Sequence, residues 1–197
     1  MNKGTSILFS VLLLFMLLAG CAEQPEKQER MPETGTTQEA MPTEEESEPA
    51  ELSYAETEIL DWDSERIDNI KLAVQTLNGT QLAPNELFSF NGALGARTEE
   101  KGYKPAPIIV NQQKEEGCGG GVCQVSTTIY QAAKAAGLLI VERHDHQKEV
   151  QYAPLGEDAA VNYGSLDMQF RNSTDRVLRL DVSVGNGFVR ASIKELG

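Results

Sequence analysis

The stretch Gly117-Cys118-Gly119-Gly120-Gly121-Val122-Cys123-Gln124-Val125-Ser126-Thr127-Thr128-Ile129-Tyr130-Gln131-Ala132-Ala133-Lys134-Ala135-Ala136-Gly137 reads as a glycine loop running into a helix. Val122, Val125, Ile129, Ala132 and Ala136 fall on one helical face, and Gly137 is the expected stop. Cys123 therefore follows three glycines with only Val122 between, at the start of a helix. Backbone N–H groups and the helix dipole there favour a thiolate and lower a cysteine pKa. The same N–H groups can hold an oxyanion during acyl transfer. Glycines at this point admit close approach of a substrate backbone. The competing reading is a packed structural cysteine on the apolar face, since free cysteine is often buried.

Outward from this helix, Leu138 to Glu142 reads as a strand and leads into Glu142-Arg143-His144-Asp145-His146, which holds both histidines of the chain. If the strand runs on, His144 and His146 share a face, because side chains repeat every two residues. Either can then take the proton of Cys123, and the spacing does not choose between them. A solvated surface loop is the rival reading. A metal site built from the two histidines and a cysteine matches no zinc spacing, so no metal or cofactor is expected. Cys118 lies close enough in sequence for a disulfide to Cys123, which an oxidising compartment permits. Arg97, in Gly95-Ala96-Arg97-Thr98, is a candidate partner for a substrate carboxylate or phosphate. Asp158 is a candidate to orient a histidine. Tyr103, Tyr152 and Tyr163 are candidates to line a groove.

The rest of the domain reads as α+β, one domain with antiparallel strands and two main helices. Apolar Ile67, Ile70, Val74 and Leu77 mark the other helix, capped by Asp63 or Ser64 and closed by Gly79. Strands are expected at Glu86 to Asn91, Ala106 to Asn111, Leu166 to Phe170, Val177 to Val184 and Phe188 to Lys194, with another over Gln147 to Tyr152. Gly185-Asn186-Gly187 reads as a hairpin turn between the last two long strands.

The amino-terminal quarter has a different composition. Lys3 precedes an almost unbroken apolar run from Ile7 to Ala19, and the segment ends Leu17-Leu18-Ala19-Gly20-Cys21. That pattern predicts a lipoprotein signal peptide over 1–20 with lipidation at Cys21. Firm anchoring needs more than one acyl chain. Residues 21–52 are rich in Pro and Glu: from Ala22 to Leu52 there are ten Glu, four Pro and no aromatic residue. Such a segment cannot build a core and is expected to be a disordered tether. The domain is then 53–197, with 20 acidic and 14 basic residues, a balance that argues against nucleic acid as a partner. The expected location is the extracytoplasmic face of the cell membrane, by lipid anchor. Oligomeric state is not legible.

The stretch from Phe88 to about Asn172 resembles the VanW family. The matching elements are Phe88-Ser89-Phe90-Asn91, Gly95-Ala96-Arg97-Thr98, Gly102-Tyr103, Ile109-Val110-Asn111, Gly119 to Tyr130, Glu142 to His146, and Tyr163-Gly164-Ser165-Leu166-Asp167. VanW domains occur in some glycopeptide-resistance clusters and in cell-wall proteins, and some members are similar in role to L,D-transpeptidases. The resemblance implies Cys123 as nucleophile with His144 or His146 as its partner, acting on peptidoglycan stem peptides. Arg97, Gly120, Gly121, Gln124 and Tyr163 are the expected substrate contacts. The alternative is a non-catalytic lipoprotein that binds peptidoglycan or a glycopeptide.

Overall fold

The structure, a computed structural model, describes residues 48–110 and 113–197. The expected signal segment 1–20, lipidation at Cys21 and the tether up to residue 47 lie outside the described residues.

The described chain is α+β. Its first sheet orders its strands β1-β9-β8-β2: β1 (Ala50–Glu58), β2 (Thr80–Leu82), β8 (Leu178–Gly185) and β9 (Phe188–Glu195). A second sheet runs β3 (Leu87–Ser89), β7 (Gln169–Arg171) and β6 (Leu139–Glu142), and β4 (Pro105–Val110) pairs with β5 (Gln113–Cys118). Every strand pairing is antiparallel. The two long helices are α1 (Ser64–Leu77) and α3 (Val122–Ala135).

Period-two burial decides the first sheet. Leu178, Leu180 and Val182 of β8, and Val189, Ala191 and Ile193 of β9, all face inward. Between them Asn186 (φ 52°) and Gly187 (φ 85°) form the expected hairpin turn with both residues left-handed. Helix α1 begins where Asp63 accepts the backbone N–H of Arg66 at 2.9 Å. It buries Ile70, Ala73 and Leu77 completely against β8. Each large apolar side chain so buried contributes roughly 1.5–3 kcal/mol. Helix α3 packs on β1 and β9, stitched to β1 by polar contacts. Ser53 Oγ donates to Ala132 O at 2.8 Å, and Thr57 Oγ1 bonds Thr128 Oγ1 at 2.8 Å.

Three local expectations change. The strand foreseen over Glu86 to Asn91 stops at Ser89, because Ser89 caps a short helix α2 (Phe90–Leu94) by accepting the Gly92 N–H at 2.8 Å. Residues 147–152 form no strand; they belong to an irregular connection from Arg143 towards Asn162. The β6 strand is paired by β7 alone, and Asp158 draws the connection back onto the histidine segment, as described below. Finally, the 52/53 boundary falls inside β1, which already pairs at Ala50 with Glu195.

Candidate functional site

The start of α3 is fixed by how tightly the three glycines are packed. Gly121 is the helix cap, with φ 98°. A Cβ there would sit 2.9 Å from Arg66 Cγ and from Ile70 Cγ1 of α1. A Cβ on Gly120 would sit 2.7 Å from Pro107 O of β4. The Asn69 amide locks this corner by donating to Gly120 O at 3.1 Å and Lys104 O at 2.9 Å. Gly120 and Gly121 are thus required by the domain's own packing. Their packing sets the helix start, with Gly120 buried and Gly121 partly exposed.

Cys123 is the second residue of α3 and is half-buried. Its thiol donates to Val161 O at 3.5 Å. The neighbouring helix N–H groups are engaged, Val122 to Gly119 O at 3.1 Å and Gln124 to Gly121 O at 3.0 Å. The N–H of Cys123 itself has no acceptor among the described residues. That leaves one first-turn donor beside the sulfur, narrower than the expected Gly121-to-Gln124 set.

The two histidines part company. The β6 strand ends at Glu142, so they do not share a strand face. His144 Nε2 pairs with Glu142 Oε1 at 2.9 Å, and that oxygen also accepts the Asp167 N–H at 3.0 Å. His146 instead turns to Asp158. Its Nδ1–H donates to Asp158 Oδ2 at 2.5 Å, and its backbone N–H donates to the same oxygen at 2.8 Å. With Nδ1 engaged, Nε2 is the nitrogen left for Cys123. Asp158 is itself held from behind, since Arg143 donates through Nε to Asp158 O at 2.6 Å and through Nη2 to Asp158 Oδ1 at 3.1 Å. The Arg143 guanidinium in turn lies 5.3 Å from the centre of the Tyr130 ring.

Electrostatics couple the sulfur to this imidazole. Burial pushes the Cys123 thiol up, but hydrogen bonding with His146, the charge of His146 and that of Arg97 outweigh it and hold the pKa below the ordinary thiol value. Burial works the other way on His146, and its contacts with Cys123 and Asp158 raise its pKa above the usual imidazole value. Both shifts favour a thiolate facing an imidazolium. Burial would raise the Asp158 carboxyl, yet the backbone and side-chain hydrogen bonds from His146 keep it low. The Tyr152 ring meets His146 edge-on at 6.4 Å; burial pushes its hydroxyl upward.

The structure thus brings Cys123, His146 and Asp158 together and leaves His144 outside. This constellation sits in a chain whose residues 65–194 match the family profile described as VanW like protein. The chain belongs to the VanW family. It is 49% identical over 107 residues to the YoaR protein of Bacillus subtilis (strain 168), a match covering 54% of this chain and 35% of that protein. It is 29% identical over 128 residues to the vancomycin B-type resistance protein VanW of Enterococcus faecalis (strain ATCC 700802 / V583), covering 62% of this chain and 46% of that protein. The chain therefore spans less than half the length of either relative. No solved structure gives a significant match.

In this VanW domain the remaining expected contacts divide. Arg97 donates to Asn91 Oδ1 at 2.6 Å and Gly95 O at 3.0 Å, and its guanidinium carbon is 5.9 Å from the centre of the exposed Tyr163 ring. The charge of Arg97 is felt at Cys123. Gln124 does not face solvent: it is 1% exposed. Its amide donates to Thr57 Oγ1 at 3.0 Å and Glu58 O at 2.9 Å, and accepts from Arg66 Nη2 at 2.6 Å. The expected substrate contact is corrected to a buried staple between α3, β1 and α1. Tyr103 is buried too, and its hydroxyl has no partner among the described residues. Cys118 is exposed, and both it and Cys123 are free thiols. Arg143 carried no expected role, although its neighbours did. Only folding shows that it reaches fifteen residues along the chain to Asp158. Among the described residues, no cluster of three or more His, Cys, Asp or Glu is arranged to hold a metal ion, and no helix is long and apolar enough to cross a membrane.

Proposed function

We propose that the domain is a cell-envelope acyl transferase that acts on peptidoglycan stem peptides through a Cys123 thiolate. The observation that carries this reading is the paired shift of Cys123 and His146, with His146 held on Asp158 by two hydrogen bonds. A cysteine at a helix start, matched to an oriented imidazole, is the arrangement that activates a sulfur nucleophile. The thiolate attacks the carbonyl that precedes a terminal D-residue. A sulfur–carbon bond forms, the carbon–nitrogen bond breaks, and the His146 imidazolium gives its Nε2 proton to the leaving amine. The Cys123 N–H faces the developing oxyanion. An amine of a second stem then displaces the sulfur, which yields a cross-link; water in its place yields a trimmed stem. Arg97 and Tyr163 are assigned to the donor, with the guanidinium set to meet the carboxylate of the departing residue. A lipid anchor on Cys21 and the acidic segment behind it would hold the domain within reach of the wall.

The test is mass spectrometry of muropeptides from cells expressing the wild type or Cys123→Ala. Stem-to-stem dimers linked between the third residues, present only with the wild type, support the transferase. Identical profiles, with purified full-length protein still binding peptidoglycan, would replace it with a binding module.

A further inference from the structure

A transferase that makes cross-links must admit two stems, and the residues assigned to the donor account for one. We propose that the connection between Asp145 and Asp158 forms the binding site for the second stem, the amine-bearing acceptor; this rests on the transferase reading above. The connection encloses a cavity of about 260 Å³. Its walls include His146 and Asp158 together with Lys148, Glu149, Ala153 and Leu155. A second cavity, of about 290 Å³, is lined by Asn91, Glu142 and residues 164–167, and shares no residue with the first.

The chemistry of the second half-reaction selects the first cavity. After the donor has acylated Cys123, His146 is a neutral imidazole. The acceptor enters as a free amine, its ammonium proton having passed to solvent. Its nitrogen forms a bond to the acyl carbon, the sulfur–carbon bond breaks, and His146 Nε2 takes the proton that nitrogen sheds. The thiolate–imidazolium pair is thereby restored. The incoming amine must therefore approach where His146 is reachable, and of the two cavities only this one is walled by His146.

Its rim also suits a peptide carrying both an amine and carboxylates. Lys148 and Glu149 are both exposed. No ion pair among the described residues uses either of them. Leu155 stands 83% exposed beside them, an apolar edge against which a stem can lie. The donor side is built from different segments, Arg97 and Tyr163, so that both stems can be held at once.

The experiment uses the full chain purified in detergent, with a synthetic tetrapeptide stem as donor and a tripeptide stem as acceptor. Intact mass follows the thioester on Cys123, and chromatography follows dimer against hydrolysed donor. Two variants are compared with the wild type. Lys148→Ala with Glu149→Ala alters only exposed side chains, and Ala153→Phe fills the cavity. Both are expected to form the thioester at the wild-type rate while the ratio of dimer to hydrolysed donor falls about tenfold, the change expected when one good contact is lost. If the ratio is unchanged in both variants, the acceptor site is overturned and the transferase stands. If the wild type forms no thioester, both fall together.

Discussion

Asp158 Oδ2 accepts two hydrogen bonds from one residue, the backbone N–H of His146 at 2.8 Å and its Nδ1–H at 2.5 Å. One carboxylate oxygen thus fixes both the main chain and the ring of His146. Arg143 holds the other oxygen. The imidazole is oriented and its tautomer is set with the proton on Nδ1, which leaves Nε2 as the ring nitrogen free to exchange a proton with the sulfur.

Replacing Asp158 by Asn removes the acceptor that sets this tautomer. The expected result is a fall of up to about 10⁴-fold in kcat, of the size seen when the carboxylate that orients a catalytic imidazole is replaced by its amide. A purely structural role would lower the amount of folded protein and leave the pH profile of the remainder in place. The positioning role instead moves the alkaline limb of that profile downward, since His146 loses a contact that raises its pKa. Rate against pH on folded protein separates the two.

The two histidines should respond unequally. His146→Ala is expected to lower the rate of thioester formation by about 10²–10⁴-fold, the range for a general acid–base group. His144→Ala breaks only the pair with Glu142 and should leave that rate within about threefold, as expected for a group outside the proton path. Equal losses in the two variants would show that the structure assigns the base wrongly.

Alkylation of Cys123 tests the ion pair directly. Its pKa is lowered and that of His146 is raised. The reactive thiolate should therefore persist below the free-thiol value of about 8.5. His146→Ala should move half-maximal iodoacetamide reactivity to higher pH, because burial, which raises the Cys123 pKa, then meets less opposition. Cys118, exposed and free, is removed by Cys118→Ser so that a single thiol of the domain is read.

Acid stability follows from Asp158. Its folded-state pKa is depressed, so its contribution is present above the unfolded value of about 3.9 and is lost as pH falls through the folded value. The slope of unfolding free energy against pH between about 4 and 2 should be shallower in Asp158→Asn than in the wild type, by urea titration at each pH.

The buried Tyr103 hydroxyl lacks a partner among the described residues. Removing it by Tyr103→Phe should stabilise the domain by about 1 kcal/mol, since an unsatisfied buried donor costs about 1–3 kcal/mol. Gln124→Ala should do the reverse, destabilising by about 2 kcal/mol, because it leaves the Arg66 guanidinium and the Glu58 carbonyl without their bond. Urea midpoints at constant slope check both.

Much of the fold was readable because large apolar residues repeat with a clear period. The Ile70, Val74 and Leu77 face of α1, the Val125 and Ile129 face of α3, and the alternation of β8 and β9 are all of this kind. Strand β1 was not readable. Its inward residues Ser53, Ala55 and Thr57 are small or polar, and their alternation has meaning only because Ser53 and Thr57 bond α3. The glycines before Cys123 were legible as a turn, but not the reason for them, which lies in Arg66, Ile70 and Pro107 arriving from elsewhere.

The residues alone were enough to place Cys123 at a helix start behind three glycines, because local backbone preference and short-range periodicity are properties of neighbours in the chain. Choosing His146 over His144, pinning it on Asp158 and bracing Asp158 with Arg143 were decided by tertiary structure. Those partners stand twelve and fifteen residues apart in sequence. They meet only because the irregular connection after β6 folds back on itself, and no local pattern encodes where such a connection closes.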